Sequence, residues 1–189
     1  FGQLLKIKKK ELKELKGKPY VAKHYVSALG QDPYSYAYLK EAAIDSGAVT
    51  VRTAGMEALS KIVSGESFVN TFRSRSNRVK IEILDIIKEQ FAKGDVGTMA
   101  IGAGILSNEK IGYRNLIQND SFLIAAAAKL SLPREIETYN EIKKALAYIN
   151  NVKYKVEKNS YNHPINWKTL ATVSDSTIAV VKTNKGNFT

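Results

Sequence analysis

Apolar positions along the chain fall into blocks of different period, and each block predicts an element. From Leu4 to Lys18 leucine and isoleucine alternate with lysine, yet Leu5, Leu12 and Leu15 also keep helical spacing. The residues around Glu11 favour helix, so this stretch reads as a lysine-rich helical arm ending near Gly17 and Pro19. Asp32 followed by Pro33 has the form of an N-cap and first helical position, predicting a helix through Ala43 that stops at Gly47. Ala48 to Thr53 alternates as a short strand, Gly55 to Val63 reads as a short helix closed by Gly65, and Ser67 to Phe72 fits strand or loop equally. Val79, Ile83, Ile86, Ile87 and Phe91 then recur at helical period, with Ser76 and Asn77 as candidate caps and Gly94 as the stop.

Gly94, Gly97, Gly102 and Gly104 interrupt the chain up to Ser107, predicting a flexible or tightly packed connection. Asp120 or Ser121 caps a helix through Ala125 to Leu130, whose consecutive alanines predict the close approach of a neighbour. Ser131 and Pro133 start another, with Ile136, Tyr139, Ile142, Leu146 and Ile149 as its buried stripe. From Asn150 the character changes: Val152, Tyr154 and Val156 alternate with lysines, Tyr161 to Pro164 reads as a turn, and Thr177 to Lys182 is β-branched. The pattern therefore predicts a helix-rich α+β fold: a basic N-terminal arm over residues 1–18 and a single globular domain over 19–189. Within that domain residues 19–149 form one helical core and 150–189 a small antiparallel β unit.

Composition agrees with one folded domain. At 189 residues with 44% hydrophobic positions the chain can bury a substantial core. Its longest apolar stretches, such as Phe122 to Ala128, fall far short of the roughly 20 residues that span a bilayer. Lysines follow the first apolar residues, the reverse of a secretory signal, and there is no cysteine. Disulfides and thiolate metal sites are excluded, and the expected location is intracellular, in the cytoplasm or within a nucleoprotein particle.

Charge changes the picture more. The net charge is +11, and it is concentrated. Between Phe1 and His24 eight lysines face only Glu11 and Glu14; Arg73, Arg75, Arg78 and Lys80 follow one another without an acid; beyond Asn150 six lysines face Glu157 and Asp175. Such a field attracts polyanions. Alternating arginines before a helix N-terminus can bracket phosphate oxygens, while the hydroxyls and free N–H groups there add donors. The alternative is a solvated loop whose arginines pair with Glu82. Tyr20, Tyr25, Tyr34, Tyr36 and Tyr38 near the arm could stack on bases or pack the first helix.

Other constellations are thinner. Gly94-Asp95-Val96-Gly97 is a GxxG loop of the kind that sets backbone against phosphates, but Asp95 within it would repel them. No Gly-Lys-Ser/Thr follows, and no strand precedes as a dinucleotide fingerprint requires. Glu82, Asp85 and Glu89 along one helix side could hold a divalent cation, as a nuclease would need, yet Arg78 and Lys93 stand at i,i+4 positions that read as ordinary surface pairing. His24 and His163 have no triad or metal spacing, so no metal or cofactor is expected. The first functional expectation is a non-enzymatic nucleic-acid-binding protein, engaging RNA or DNA through the phosphate backbone with Lys8, Lys9, Lys10, Lys13, Arg73, Arg75, Arg78, Lys80, Lys153 and Lys155. The second is a coat- or capsid-type structural subunit of a viral or phage-like assembly, and the third a metal-dependent nuclease; a homo-oligomer is expected.

Overall fold

The computed structural model describes residues 10–15, 17–158 and 164–188. It is helix-rich α+β and divides into two units, Phe1–Lys158 and Asn159–Thr189. Among the described residues the regular elements of the first unit are all helices. After a helical turn over residues 10–14 come α1 (Pro19–Leu29), α2 (Tyr36–Asp45), α3 (Val49–Ser64), α4 (Ser67–Phe72), α5 (Ser76–Lys93), α6 (Val96–Leu106), α7 (Ser121–Ala128) and α8 (Ile136–Ile149). In the second unit lie α9 (Trp167–Leu170) and a two-stranded antiparallel ladder, β1 (Val181–Thr183) against β2 (Gly186–Phe188). The helix that ends at Asp45, the α5 stripe and the presence of a small antiparallel unit near the C-terminus are as the sequence predicts. Of the expected strand over Thr177 to Lys182, however, only Val181 and Lys182 are in β1, and its partner Gly186–Phe188 is not among the predicted strands. Of the expected turn at Tyr161 to Pro164, residues 161–163 lie outside the described residues.

Helices α3 and α6 are the centre of the first unit. α1 and α2 both pack on α3, α3 packs on α6, and α6 packs on α5 and α8. The α5 stripe is buried as its period demands, with Val79, Ile83, Ile86, Ile87 and Phe91 all at 3% exposure or less. Each such side chain contributes about 1.5–3 kcal/mol by leaving water. α5 ends where Gly94 takes the left-handed conformation at φ 74°, which costs glycine nothing.

The expected strand at Ala48 to Thr53 is instead the first half of α3, continuous with the predicted short helix. Val51, Ala54, Gly55, Ala58, Leu59 and Ile62 are buried along it at helical spacing. β-branched residues lower helix propensity by only a few tenths of a kcal/mol each, which burial at that period outweighs. The same burial decides Ser67 to Phe72, where Phe68 anchors α4. Residues 19–29, left without an element by the sequence pattern, form α1 with Pro19 at its first position. Gly30 after it lets α1 meet α3 closely, since a Cβ there would lie 2.8 Å from the Ala58 Cα.

The glycine-rich connection is helix α6. Asp95 caps it, its Oδ1 accepting from the Gly97 and Thr98 N–H groups at 3.0 and 3.3 Å, and α6 is apolar nearly all round because neighbours surround it. A helix cap therefore replaces the phosphate-binding reading of the GxxG loop. The α5 caps also differ: Arg75 is at the N-cap position, and Ser76 donates to the Arg73 carbonyl at 2.5 Å rather than accepting. Of the consecutive alanines only Ala126 is buried, with Ala127 packed partly against the core, so the neighbour approaches one side of α7. α8 begins at Ile136, after turns over 132–135, and buries Thr138, Ile142, Ala145 and Ala147 with the flanking stripe residues half-buried.

Two further expectations are corrected. Val152, Tyr154 and Val156 lie in an extended segment with no strand partner among the described residues; Asn140 on α8 holds it by exchanging two hydrogen bonds with the Glu157 backbone, at 2.8 and 2.9 Å. The arm is also less independent than its lysines imply. Leu12 and Leu15 pack against the core, and Tyr25 on α1 donates to the Glu11 carboxylate; Leu5 lies outside the described residues.

Candidate nucleic-acid interface

The arginine run forms the turn between α4 and α5. Phe72 ends α4 by packing on Phe68, ring centroids 5.0 Å apart, and Arg73 reverses the chain at φ 46°, ψ −125°. A 3-10 turn over Arg73–Arg75 then leads into α5. No side chain caps α5 and no acid lies in its first turn. Arg73, Arg75 and Arg78 are all exposed around this positive helix end. Arg78 pairs with Glu82, Nε to Oε1 3.2 Å, while among the described residues no carboxylate is within 4.0 Å of Arg73 or Arg75.

Beside this turn, a cavity of about 610 Å³ opens between α2, α4 and α5, with Tyr34, Tyr36, Lys40, Phe72, Arg75 and Glu82 in its walls. Glu82 organises it. The Tyr36 hydroxyl donates to Glu82 Oε2, and Lys40 Nζ lies 3.5 Å from the same oxygen. The hydrogen bond from Tyr36 holds the Glu82 carboxyl below the usual carboxylate range, against the opposing effect of burial and with help from the Lys40 and Arg78 charges. Burial and the same contact push the Tyr36 phenol up. The Tyr36 ring meets Phe72 edge-on, centroids 5.7 Å apart at 78°, which fixes both walls.

A second cleft lies on the other side of α2, where Leu12, Lys13 and Leu15 of the arm face Tyr38, Ala42 and Val51. Glu41 lines both clefts. The structure thus brings two basic segments that are 60 residues apart in sequence to opposite sides of one helix about 15 Å long. Lys10 is exposed and lies 3.9 Å from Glu14; Lys8 and Lys9 lie outside the described residues. Lys80 is engaged elsewhere: its Nζ donates to the Ile111 carbonyl at 2.6 Å, while the buried Tyr113 hydroxyl donates to the Lys80 carbonyl at 3.0 Å. Lys153 and Lys155 stand exposed on the extended segment after α8.

The tyrosines divide between their two readings. Tyr36 and Tyr38 are core residues and Tyr25 is half-buried, whereas Tyr20 and Tyr34 are exposed. Glu82, Asp85 and Glu89 each lie near a cation, Arg78 with Lys40, Lys88 and Lys93 respectively, and among the described residues no group of three acids or histidines is placed to hold a metal. Nor is any described helix long and apolar enough to cross a membrane. Sequence reading missed Lys40 and the tie between Tyr36 and Glu82. Tyr36 and Lys40 stand at i,i+4 on a predicted helix, the spacing that puts two side chains on one face. Compared with known protein families, curated proteins and solved structures, the chain matches none.

Proposed function

We propose that this protein binds nucleic acid through the phosphate backbone, with Arg73, Arg75 and Arg78 as the centre of the interface. One observation carries the reading: an uncapped helix N-terminus surrounded by arginines with no acid in its first turn. Each cation there opposes the helix dipole by roughly 0.3–1 kcal/mol, and Arg73 occupies a backbone region that costs a non-glycine residue on the order of 1–3 kcal/mol. A bound phosphate offsets the charge clash. Lys10 and Lys13 of the arm extend the field along a strand; Lys8 and Lys9 are further contacts proposed from the sequence, and Lys153 and Lys155 add exposed charge. Lys80, bonded to Ile111, is left out of the interface.

The test is a titration of wild type and the Arg73→Ala/Arg75→Ala/Arg78→Ala variant against a labelled oligonucleotide at several salt concentrations, after circular dichroism confirms that both fold. Each phosphate contact removed should lower the log–log salt slope by about 0.9 on duplex DNA or about 0.7 on a single strand. The loss should be nearly equal across sequences, because phosphate contacts position without specifying. An unchanged slope excludes this turn from the interface.

A second reading, a structural subunit of a homo-oligomeric assembly, is favoured by the C-terminal unit. Trp167, Ile178 and Val180 are 68%, 75% and 54% exposed there, apolar side chains of the kind that a partner would cover. A defined oligomer free of nucleic acid in size-exclusion chromatography would favour this reading over the first.

A further inference from the structure

We infer that the cavity between α2, α4 and α5 receives an unpaired nucleobase, so that the protein selects single strands over duplex. The inference rests on the phosphate-binding reading and names the form of nucleic acid that the same site takes. The cavity lining balances its charges: the acids Glu41 and Glu82 stand with Lys40 and Arg75, while Arg73 and Arg78 are exposed at the helix end outside it. The excess positive charge therefore lies at the rim, which places a phosphate there and leaves the balanced interior to the uncharged part of a nucleotide.

Size and chemistry fit that part. About 610 Å³ lies within the roughly 300–1,000 Å³ of small-ligand sites. The half-buried Phe72 and the exposed Tyr34 supply aromatic surface of the kind on which bases stack. Glu82 supplies a hydrogen-bond acceptor. Its Oε2 receives Tyr36 and Lys40 and its Oε1 receives Arg78, which uses three of about four lone-pair sites on a carboxylate. The remaining site suits a base N–H, and the other Lys40 protons suit a base carbonyl. In a duplex both edges are already paired and the ring is stacked between neighbours, so a paired base cannot enter without first leaving the helix.

The test compares one labelled 12-nucleotide strand with its blunt duplex by fluorescence anisotropy at fixed salt, using wild type and two cavity-filling variants. Ala37→Trp fills from the exposed face of α2 and Thr71→Trp from the facing wall on α4; circular dichroism selects the variants that fold. Wild type should bind the strand at least tenfold more tightly than the duplex, and filling should remove that preference while leaving duplex affinity unchanged. Equal binding of strand and duplex by wild type, or a preference that survives filling, overturns the inference. Competition by adenosine monophosphate as strong as that by the strand overturns it too, pointing to a free nucleotide as ligand. Duplex binding that still depends on the arginines would then leave the phosphate-binding reading standing, whereas no binding to either form removes both.

Discussion

Arg52 and Asp95 form the most buried ion pair among the described residues, Nη2 to Oδ2 3.1 Å, with side chains 14% and 10% exposed. The pair joins α3 to the start of α6, the two central helices. Asp95 also caps α6 through its other oxygen, and Arg52 Nη1 donates to the Ser46 carbonyl at 2.8 Å, closing the turn between α2 and α3. Asp95→Ala removes the cap and leaves the Arg52 charge buried without its partner. The expected loss is about 3 kcal/mol or more, seen as a fall in Tm of roughly 6 °C or more for a domain of this size. Asp95→Asn keeps a good cap and loses only the charge, so its Tm should lie between the two. Thermal unfolding of all three proteins checks this, and a Tm for Asp95→Ala close to wild type would mean that the pair does not hold the helices together.

Two glycines of α6 should respond in opposite directions to the same substitution. At Gly102 an added Cβ would stand 2.8 Å from Phe91 Cε2 and 3.0 Å from Ile87 Cγ2. Both neighbours are core side chains, and Phe91 is further fixed by its edge contact with Phe122, so Gly102→Ala should destabilise by about 1–3 kcal/mol. At Gly104 nothing lies within 4 Å, and alanine restricts the unfolded chain and favours helix, so Gly104→Ala should stabilise by up to about 1 kcal/mol. Urea unfolding curves with a common slope would give both values. A loss at Gly104 equal to that at Gly102 would contradict the packing described for α6.

These two helices also show where the sequence was legible. The α5 stripe and the break after Asp45 could be read because period and turn residues agree there. α3 and α6 could not: Val49 to Thr53 alternates by local chemistry although α3 is buried at helical spacing, and of the α6 glycines it is Gly102 that marks close packing rather than a loop. Only the presence of neighbours distinguishes those cases. At the candidate site the arginines were visible as a charge run, but the cavity was not, since it needs α2 laid against α4 and α5. The same holds for Lys80, whose commitment to Ile111 depends on a loop 31 positions away. In the arm, Leu12 and Leu15 were outvoted by their lysines in composition, yet a lysine-rich segment can still bury one apolar edge.

The contact between Tyr36 and Glu82 gives the fold a pH dependence of defined sign. The folded-state value of Glu82 is depressed, so in the window between it and the ordinary glutamate value of about 4.3 the unfolded chain holds more protons than the folded one. Its contribution is therefore complete above about pH 5 and is lost as pH falls through the depressed value. Glu82→Gln keeps an acceptor for the Tyr36 hydroxyl but loses the charge that Lys40 and Arg78 face. The variant should be less stable than wild type at pH 7 by about 1 kcal/mol, since the carboxylate is only partly shielded from water at 27% exposure. That difference should narrow steadily on acidification below about pH 4, because a protonated Glu82 and a glutamine are both neutral. Thermal unfolding of the two proteins from pH 7 to pH 3 measures the gap directly, and the other carboxylates cancel because they are common to both. A gap that stays constant across the range, or that widens in acid, would show that Glu82 is not held in its charged form by Tyr36, and the cavity would lose the charged acceptor inferred for a base N–H.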